Sequence, residues 1–139
     1  MEKLYTATVT AIGGRDGRVV SSDEIIDLAV KPPVELGGQG GATNPEQLFA
    51  AGYSACFDSA LNLVARKQQI KLESTSVTAN VTIGKDPVDN GFKLEAQLDV
   101  KVTGVPTEVA VELVKAAHSV CPVSKATKGN IDVQLRVIS

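Results

Sequence analysis

Residues Asn44–Arg66 read NPEQLFAAGYSACFDSALNLVAR, and the fold turns on this stretch. Its middle is apolar on nearly every side of a helix, and a helix that is apolar all round is a buried one. Asn44 is a ready N-cap, Pro45 suits the first helical position, and Gln47 stands where a capping box places its Glu or Gln. Arg66 and Lys67 are cations at the end where the helix dipole favours them. Gly52 weakens the helix, so it predicts the close approach of another backbone. One cysteine, Cys56, lies near the centre. A buried thiol is usually inert packing. A reactive thiol needs a cation or a helix N-terminus to stabilise its thiolate. Cys56 is mid-helix, so a reactive Cys56 would need a cation from another segment.

Before the helix, Leu4–Ile12 alternates in the manner of a strand with one buried face. Gly13-Gly14-Arg15-Asp16-Gly17 is a turn with Arg15 at its tip. Arg18–Ser22 returns as a second strand, and Ile25–Val30 is a third, stopped by Pro32-Pro33. After the helix, Ser74–Ile83 and Phe92–Val102 alternate on either side of the turn KDPVDNG, a long hairpin with Phe92, Leu94, Ala96, Leu98, Val100 and Val102 inward. Pro106 opens a second helix, Thr107–Val120, with Val109, Leu113, Ala116 and Ala117 as its stripe, and Cys121-Pro122 ends it. Ser124–Asn130 reads as a polar connection with room for a helical turn, and Ile131–Ile138 as a last strand. The order predicts one α+β domain spanning 1–139, with antiparallel sheets wrapped around central helices. A domain of this size is short of cover for a helix buried all round, so a homodimer is expected.

Composition narrows the function classes. The chain has 139 residues, 43% hydrophobic and 22% charged, with net charge −2, the profile of an ordinary globule. The scattered Lys and Arg offer no nucleic-acid patch, and 4% aromatics without Trp offer no base-stacking platform. The start, MEKLYTATVT, lacks the apolar block of a signal peptide. The longest strongly apolar run, Leu48–Phe57, falls short of the roughly 20 residues that cross a bilayer. A cytoplasmic protein without a membrane partner is expected. The loop Val34–Thr43 contains four glycines but lacks both the P-loop and the dinucleotide spacing. It reads as a place where backbone packs close.

Two cysteines in a reducing compartment, Cys56 and Cys121, suit a reactive and a resolving thiol or two unrelated buried residues. Spacing alone leaves both open. The lone His118 lies three residues before Cys121 and reads as a helix-surface residue more than as a base for a thiol. No metal-ligand spacing occurs, and no cofactor is expected. By position alone Arg15 is a solvated turn residue, and Glu46 is a carboxylate that the helix dipole favours.

Taken together, Gly13-Gly14-Arg15-Asp16-Gly17, Leu36-Gly37-Gly38, Asn44-Pro45-Glu46-Gln47-Leu48-Phe49-Ala50-Ala51-Gly52-Tyr53, Ala55-Cys56-Phe57, Val120-Cys121-Pro122 and Gly129-Asn130-Ile131 resemble the organic hydroperoxide resistance (Ohr) proteins of the Ohr/OsmC family. The resemblance covers essentially the whole chain. Val123 and Lys125 depart from it, standing where an aromatic and Asn are common. It implies an OsmC-like fold in an intertwined homodimer and a thiol peroxidase for organic hydroperoxides. Cys56 would become a sulfenic acid and Cys121 would condense with it. An external dithiol such as dihydrolipoamide, on a lipoylated carrier protein, would reduce the disulfide. Arg15 would supply the missing cation, with Glu46 as its bidentate partner. Phe49, Tyr53 and Leu36 are expected to line a substrate pocket.

Glu46 and Cys56 are ten residues apart, about 15 Å on an unbroken helix. Arg15 and Glu46 are therefore expected to serve the Cys56 of a partner chain, unless the helix unwinds before Gly52. Two other readings remain. One is a peroxidase of the OsmC branch with different substrates. The other is a non-enzymatic redox sensor or ligand-binding module.

Overall fold

The computed structural model describes residues 1–138. They form two compact units, Met1–Leu48 and the chain from Phe49 onward.

The first unit holds an antiparallel sheet in the order β1-β2-β3, formed by β1 (Val9–Ile12), β2 (Gly17–Ser21) and β3 (Asp27–Val30). The expected strand from Leu4 begins only at Val9. Val9 pairs with Ser21, where β2 runs out into a turn. That turn is fastened by Asp23, whose Oδ1 accepts from the Ser21 hydroxyl and the Ile25 N–H. The same turn delays β3 to Asp27. Gly17 is obligatory, because a Cβ there would lie 1.8 Å from the Ile12 carbonyl oxygen. A 3-10 turn at Val34–Leu36 leads into the glycine loop. There a Cβ on Gly38 would lie 2.1 Å from the Pro32 oxygen, the close packing the loop predicts. Leu4, Tyr5, Ile12 and Ile25 are each 75% exposed or more.

Helix α1 runs without a break from Pro45 to Lys67. Asn44 caps it, its Oδ1 accepting from the Gln47 N–H at 2.8 Å. The Gln47 side chain does not close the capping box; its Oε1 accepts from the Thr43 hydroxyl. The all-round burial predicted for this helix is not found in the single chain. Tyr53, Phe57, Ala60, Leu61, Val64 and Ala65 are buried, a stripe at helical spacing. Gly52 is exposed, and among the described residues no atom outside its own stretch of helix lies within 4 Å of its Cβ position, so the expected close approach of another backbone is not found there. By length and composition α1 reaches what crossing a bilayer requires. The short run Leu48–Phe57 understated it. Core helices of globular proteins pass the same test.

In the second unit β4 (Ser74–Lys85), β5 (Phe92–Thr103) and β6 (Asp132–Ile138) form a sheet in that order. β4 and β5 pair antiparallel from Ser74↔Thr103 to Lys85↔Phe92. β6 pairs with β5 in parallel, Leu98 opposite Leu135, so the sheet is mixed and not antiparallel throughout as expected. Two helices separate the strands, α2 (Thr107–Val120) and α3 (Pro122–Thr127), and a helical crossover is what a parallel neighbour needs. Alternation gives the buried face of a strand but not its direction. Phe92, expected inward, is 71% exposed at the hairpin end of β5. The core joins the α1 stripe to Leu98 and Val100 of β5 and Leu113, Val114 and Ala117 of α2.

Candidate active site

The second unit brings the two thiols together. Cys121 Sγ lies 3.3 Å from Cys56 Sγ, and both are free thiols. Cys121 is fully buried and Cys56 half-buried. The placement follows from local rules. A residue before proline is pushed to extended backbone, and Cys121 has φ −66° and ψ 121°. It thereby ends α2, its N–H bonded to the Ala117 oxygen. Pro122 then starts α3 at the position where a missing N–H costs nothing. The corner points Cys121 at the mid-helix Cys56. Closing to disulfide length requires an approach of about 1.3 Å.

Burial pushes the Cys56 thiol up from its ordinary value, the Val123 N–H pulls it down, and Cys121 pushes it up again. Among the described residues no cation is one of the groups that move it.

Behind the thiols runs a buried polar chain. Tyr53 Oη lies 2.8 Å from Ser124 Oγ, and Ser124 Oγ lies 2.9 Å from His118 Nδ1. Thr127 Oγ1 donates to the Ser124 carbonyl. His118, half-buried, is thus tied to Ser124 instead of standing on the surface. Sequence reasoning passed over Ser124 and Thr127 as parts of a polar connection. Pro122 as a helix start was the available signal, since it puts Ser124 and Thr127, three apart, on one helical face.

The first unit brings Arg15 and Glu46 together. Arg15 Nη1 donates to Glu46 Oε2 at 3.0 Å, and Nη2 lies 2.9 Å from Oε1. Only the first contact is aligned as a hydrogen bond; the buried Oε1 makes none, so the second contact is electrostatic. The β1–β2 turn places Arg15, through the Asp16 N–H to Gly13 oxygen bond and the left-handed φ of Gly13 and Gly14. The first turn of α1 places Glu46, where the helix dipole adds to the attraction. The hydrogen bond from Arg15 holds the Glu46 carboxyl below the usual range, against the opposing effect of burial. Glu46 in turn raises Arg15. A depressed carboxyl contributes stability in full above its unfolded pKa and loses it as pH falls through the folded value. Thermal melts from about pH 5 to about pH 2 should therefore show a shallower acid-side loss for Glu46→Gln than for wild type. Parallel acid limbs would mean that the pair does not contribute.

Of the residues expected around a substrate, Tyr53 is fully buried, with its hydroxyl 2.8 Å from Ser124 Oγ. Phe49 is half-buried against it, edge to face with ring centres 6.0 Å apart. Leu36 belongs to the first unit and is 46% exposed. Among the described residues no group of three His, Cys, Asp or Glu side chains is placed to hold a metal ion.

A mixed α+β fold with two facing thiols at a helix corner defines the class. The family model described as OsmC-like protein matches residues 38–136. The chain is 56% identical over 138 residues to the organic hydroperoxide resistance protein OhrA of Bacillus subtilis, covering 98% of this chain and 97% of that one. Among solved structures, an organic hydroperoxide resistance protein OsmC from Legionella pneumophila superposes with TM-score 0.95 at 49% identity, covering 99% of this chain and 100% of that one. OhrB of Bacillus subtilis superposes at 0.90 with 46% identity, covering 98% and 100%. The chain belongs to the organic hydroperoxide resistance proteins of the Ohr/OsmC family.

Proposed function

We propose that this protein is a cysteine peroxidase that reduces organic hydroperoxides to alcohols. The observation that carries the reading is the 3.3 Å contact between Cys56 and Cys121. The Cys56 thiolate attacks the outer oxygen of ROOH. The O–O bond breaks, RO⁻ takes up a proton and leaves as ROH, and Cys56 becomes a sulfenic acid. Cys121 gives up its proton and attacks the Cys56 sulfur; the S–S bond forms, the S–O bond breaks, and water leaves. A dithiol of the dihydrolipoamide type, carried on a protein, then returns both thiols by two exchange steps and is itself oxidised to a disulfide. No bound cofactor or metal enters the cycle, and the setting is the reducing cytoplasm.

Two observations support a homodimeric site. Burial raises Cys56 and no cation opposes it, whereas Arg15 is held by Glu46 ten residues before Cys56 on an unbroken α1. Arg15 and Glu46 therefore serve the Cys56 of a second copy. The exposed Leu4, Tyr5, Ile12 and Ile25 and the bare flank at Gly52 are surface that a second copy covers, completing one domain-like assembly from both chains. The substrate side of the site is read as apolar, with Phe49, half-buried against Tyr53, as the candidate wall beside Cys56. A dithiol-coupled assay tests the reading. It should give higher kcat/KM for cumyl or tert-butyl hydroperoxide than for hydrogen peroxide. Equal values would contradict an apolar pocket, and no turnover of either would sink the reading.

A further inference from the structure

The geometry points to Ser124 as a positioning residue that holds Cys121 in reach of oxidised Cys56, an inference that rests on the peroxidase reading above. Ser124 is 1% exposed, and its single hydroxyl ties three helices together. Tyr53 reaches it from α1 and His118 from α2, while Ser124 itself is on α3. The knot lies beside both thiols: Tyr53 is three residues before Cys56 and Ser124 three after Cys121. Tyr53 and Cys56, three apart on α1, share a helix face, and Cys121 is the residue that caps the start of the helix holding Ser124.

α3 needs such a tie. It has six residues, too few for a helix to hold its own shape. It starts at Pro122, which contributes no N–H. Yet it supplies the Val123 N–H that faces Cys56, and it begins at the residue that must resolve the sulfenic acid. A serine hydroxyl has one donor and two acceptor positions. Tyr53 O–H donates to Ser124 Oγ and Ser124 O–H donates to His118 Nδ1, or the direction reverses with the His tautomer. Either way, deleting the hydroxyl takes from the buried Tyr53 hydroxyl its closer partner, leaving it only Thr127 Oγ1 at 3.5 Å, and takes from His118 Nδ1 its Ser124 partner, which loosens the corner.

The consequence falls on one step. Cys121 loses its proton and bonds to the Cys56 sulfur, and the sulfenic oxygen leaves as water. With α3 fixed, the sulfurs close from 3.3 Å by a small shift. With α3 loose, Cys121 wanders and the sulfenic acid persists. Peroxide attack on Cys56 needs no such closure.

The test is a single turnover of the reduced full-length protein with one equivalent of cumene hydroperoxide, quenched at intervals into a sulfenic-acid trap and read by mass. Ser124→Ala should form the sulfenic acid within about threefold of the wild-type rate but close the disulfide about tenfold more slowly, with trapped Cys56 accumulating. Tyr53→Phe should move the same way, and it decides alone if Ser124→Ala does not fold. Val102→Ala, a core change in β5, should lower the melting temperature without slowing the disulfide. A folded Ser124→Ala that closes its disulfide within twofold of wild type overturns the inference, as does equal slowing in Val102→Ala. Wild type that forms no disulfide sinks the peroxidase reading and this inference with it. Wild type that forms it while Ser124→Ala keeps pace sinks this inference alone.

Discussion

Cys56→Ser is expected to lower organic hydroperoxide turnover by about 10³-fold or more, because it removes the atom that is oxidised. The hydroxyl of serine stays protonated at neutral pH and cannot accept oxygen from a peroxide. The fold should survive. Cys56 is half-buried against the core, and an oxygen for a sulfur changes little volume. Cys121→Ser should behave differently. It leaves Cys56 able to attack one equivalent of peroxide, then stalls as the sulfenic acid without an internal partner. A dithiol-coupled assay with both variants separates the roles. Substantial steady turnover by Cys56→Ser would remove Cys56 from the chemistry.

Arg15→Ala is expected to cost about 10²-fold or more in kcat/KM, the usual effect of deleting one charge-stabilising donor from an active site. Burial pushes the Cys56 thiol up, so a thiolate at neutral pH needs a cation to offset it. Without the guanidinium the rising limb of the pH–rate profile should move to higher pH. Arg15→Lys keeps the charge but loses the planar fork that meets Glu46, so only part of the loss should return. Sharing between chains makes a further demand. Cys56→Ser subunits mixed with Arg15→Ala subunits should recover about a quarter of wild-type activity, since half of randomly paired dimers hold one intact site of two. No recovery after verified subunit exchange would place both residues in the same chain's site.

Much of this was legible in the sequence, and the failures have physical causes. Asn44 and Pro45 announced the start of α1, and the cap is formed. The Thr107–Val120 helix is found at its expected bounds, because Pro106 and Cys121-Pro122 bracket it. Side-chain alternation could not reveal that β6 runs parallel to β5, since period two reports a face and not a direction. The shortening of the first strand was hidden because its length depends on where its partner turns at Asp23.

The candidate site was legible through its motifs more than through position. Position gave Arg15 to solvent and Glu46 to the helix dipole, yet the two meet. The family resemblance anticipated the pairing; a single sequence has no way to report a contact across 31 residues. Tyr53, expected at a substrate pocket, is fully buried with its hydroxyl against Ser124, a partner that helical spacing along α1 does not announce. Ser124 was passed over, since the one signal for it was Pro122 as a helix start, which sets Ser124 and Thr127 on one face without marking that face as buried.

The most direct test of the central claim is a peptide map of the reduced protein after one equivalent of cumene hydroperoxide, without reductant. The peroxidase account predicts cumyl alcohol, a protein lighter by about 2 Da from two lost hydrogens, and a single linked peptide pair joining Cys56 to Cys121. Hydroperoxide consumed with both thiols still free, or left unconsumed by protein whose two thiols are fully reduced, would contradict it.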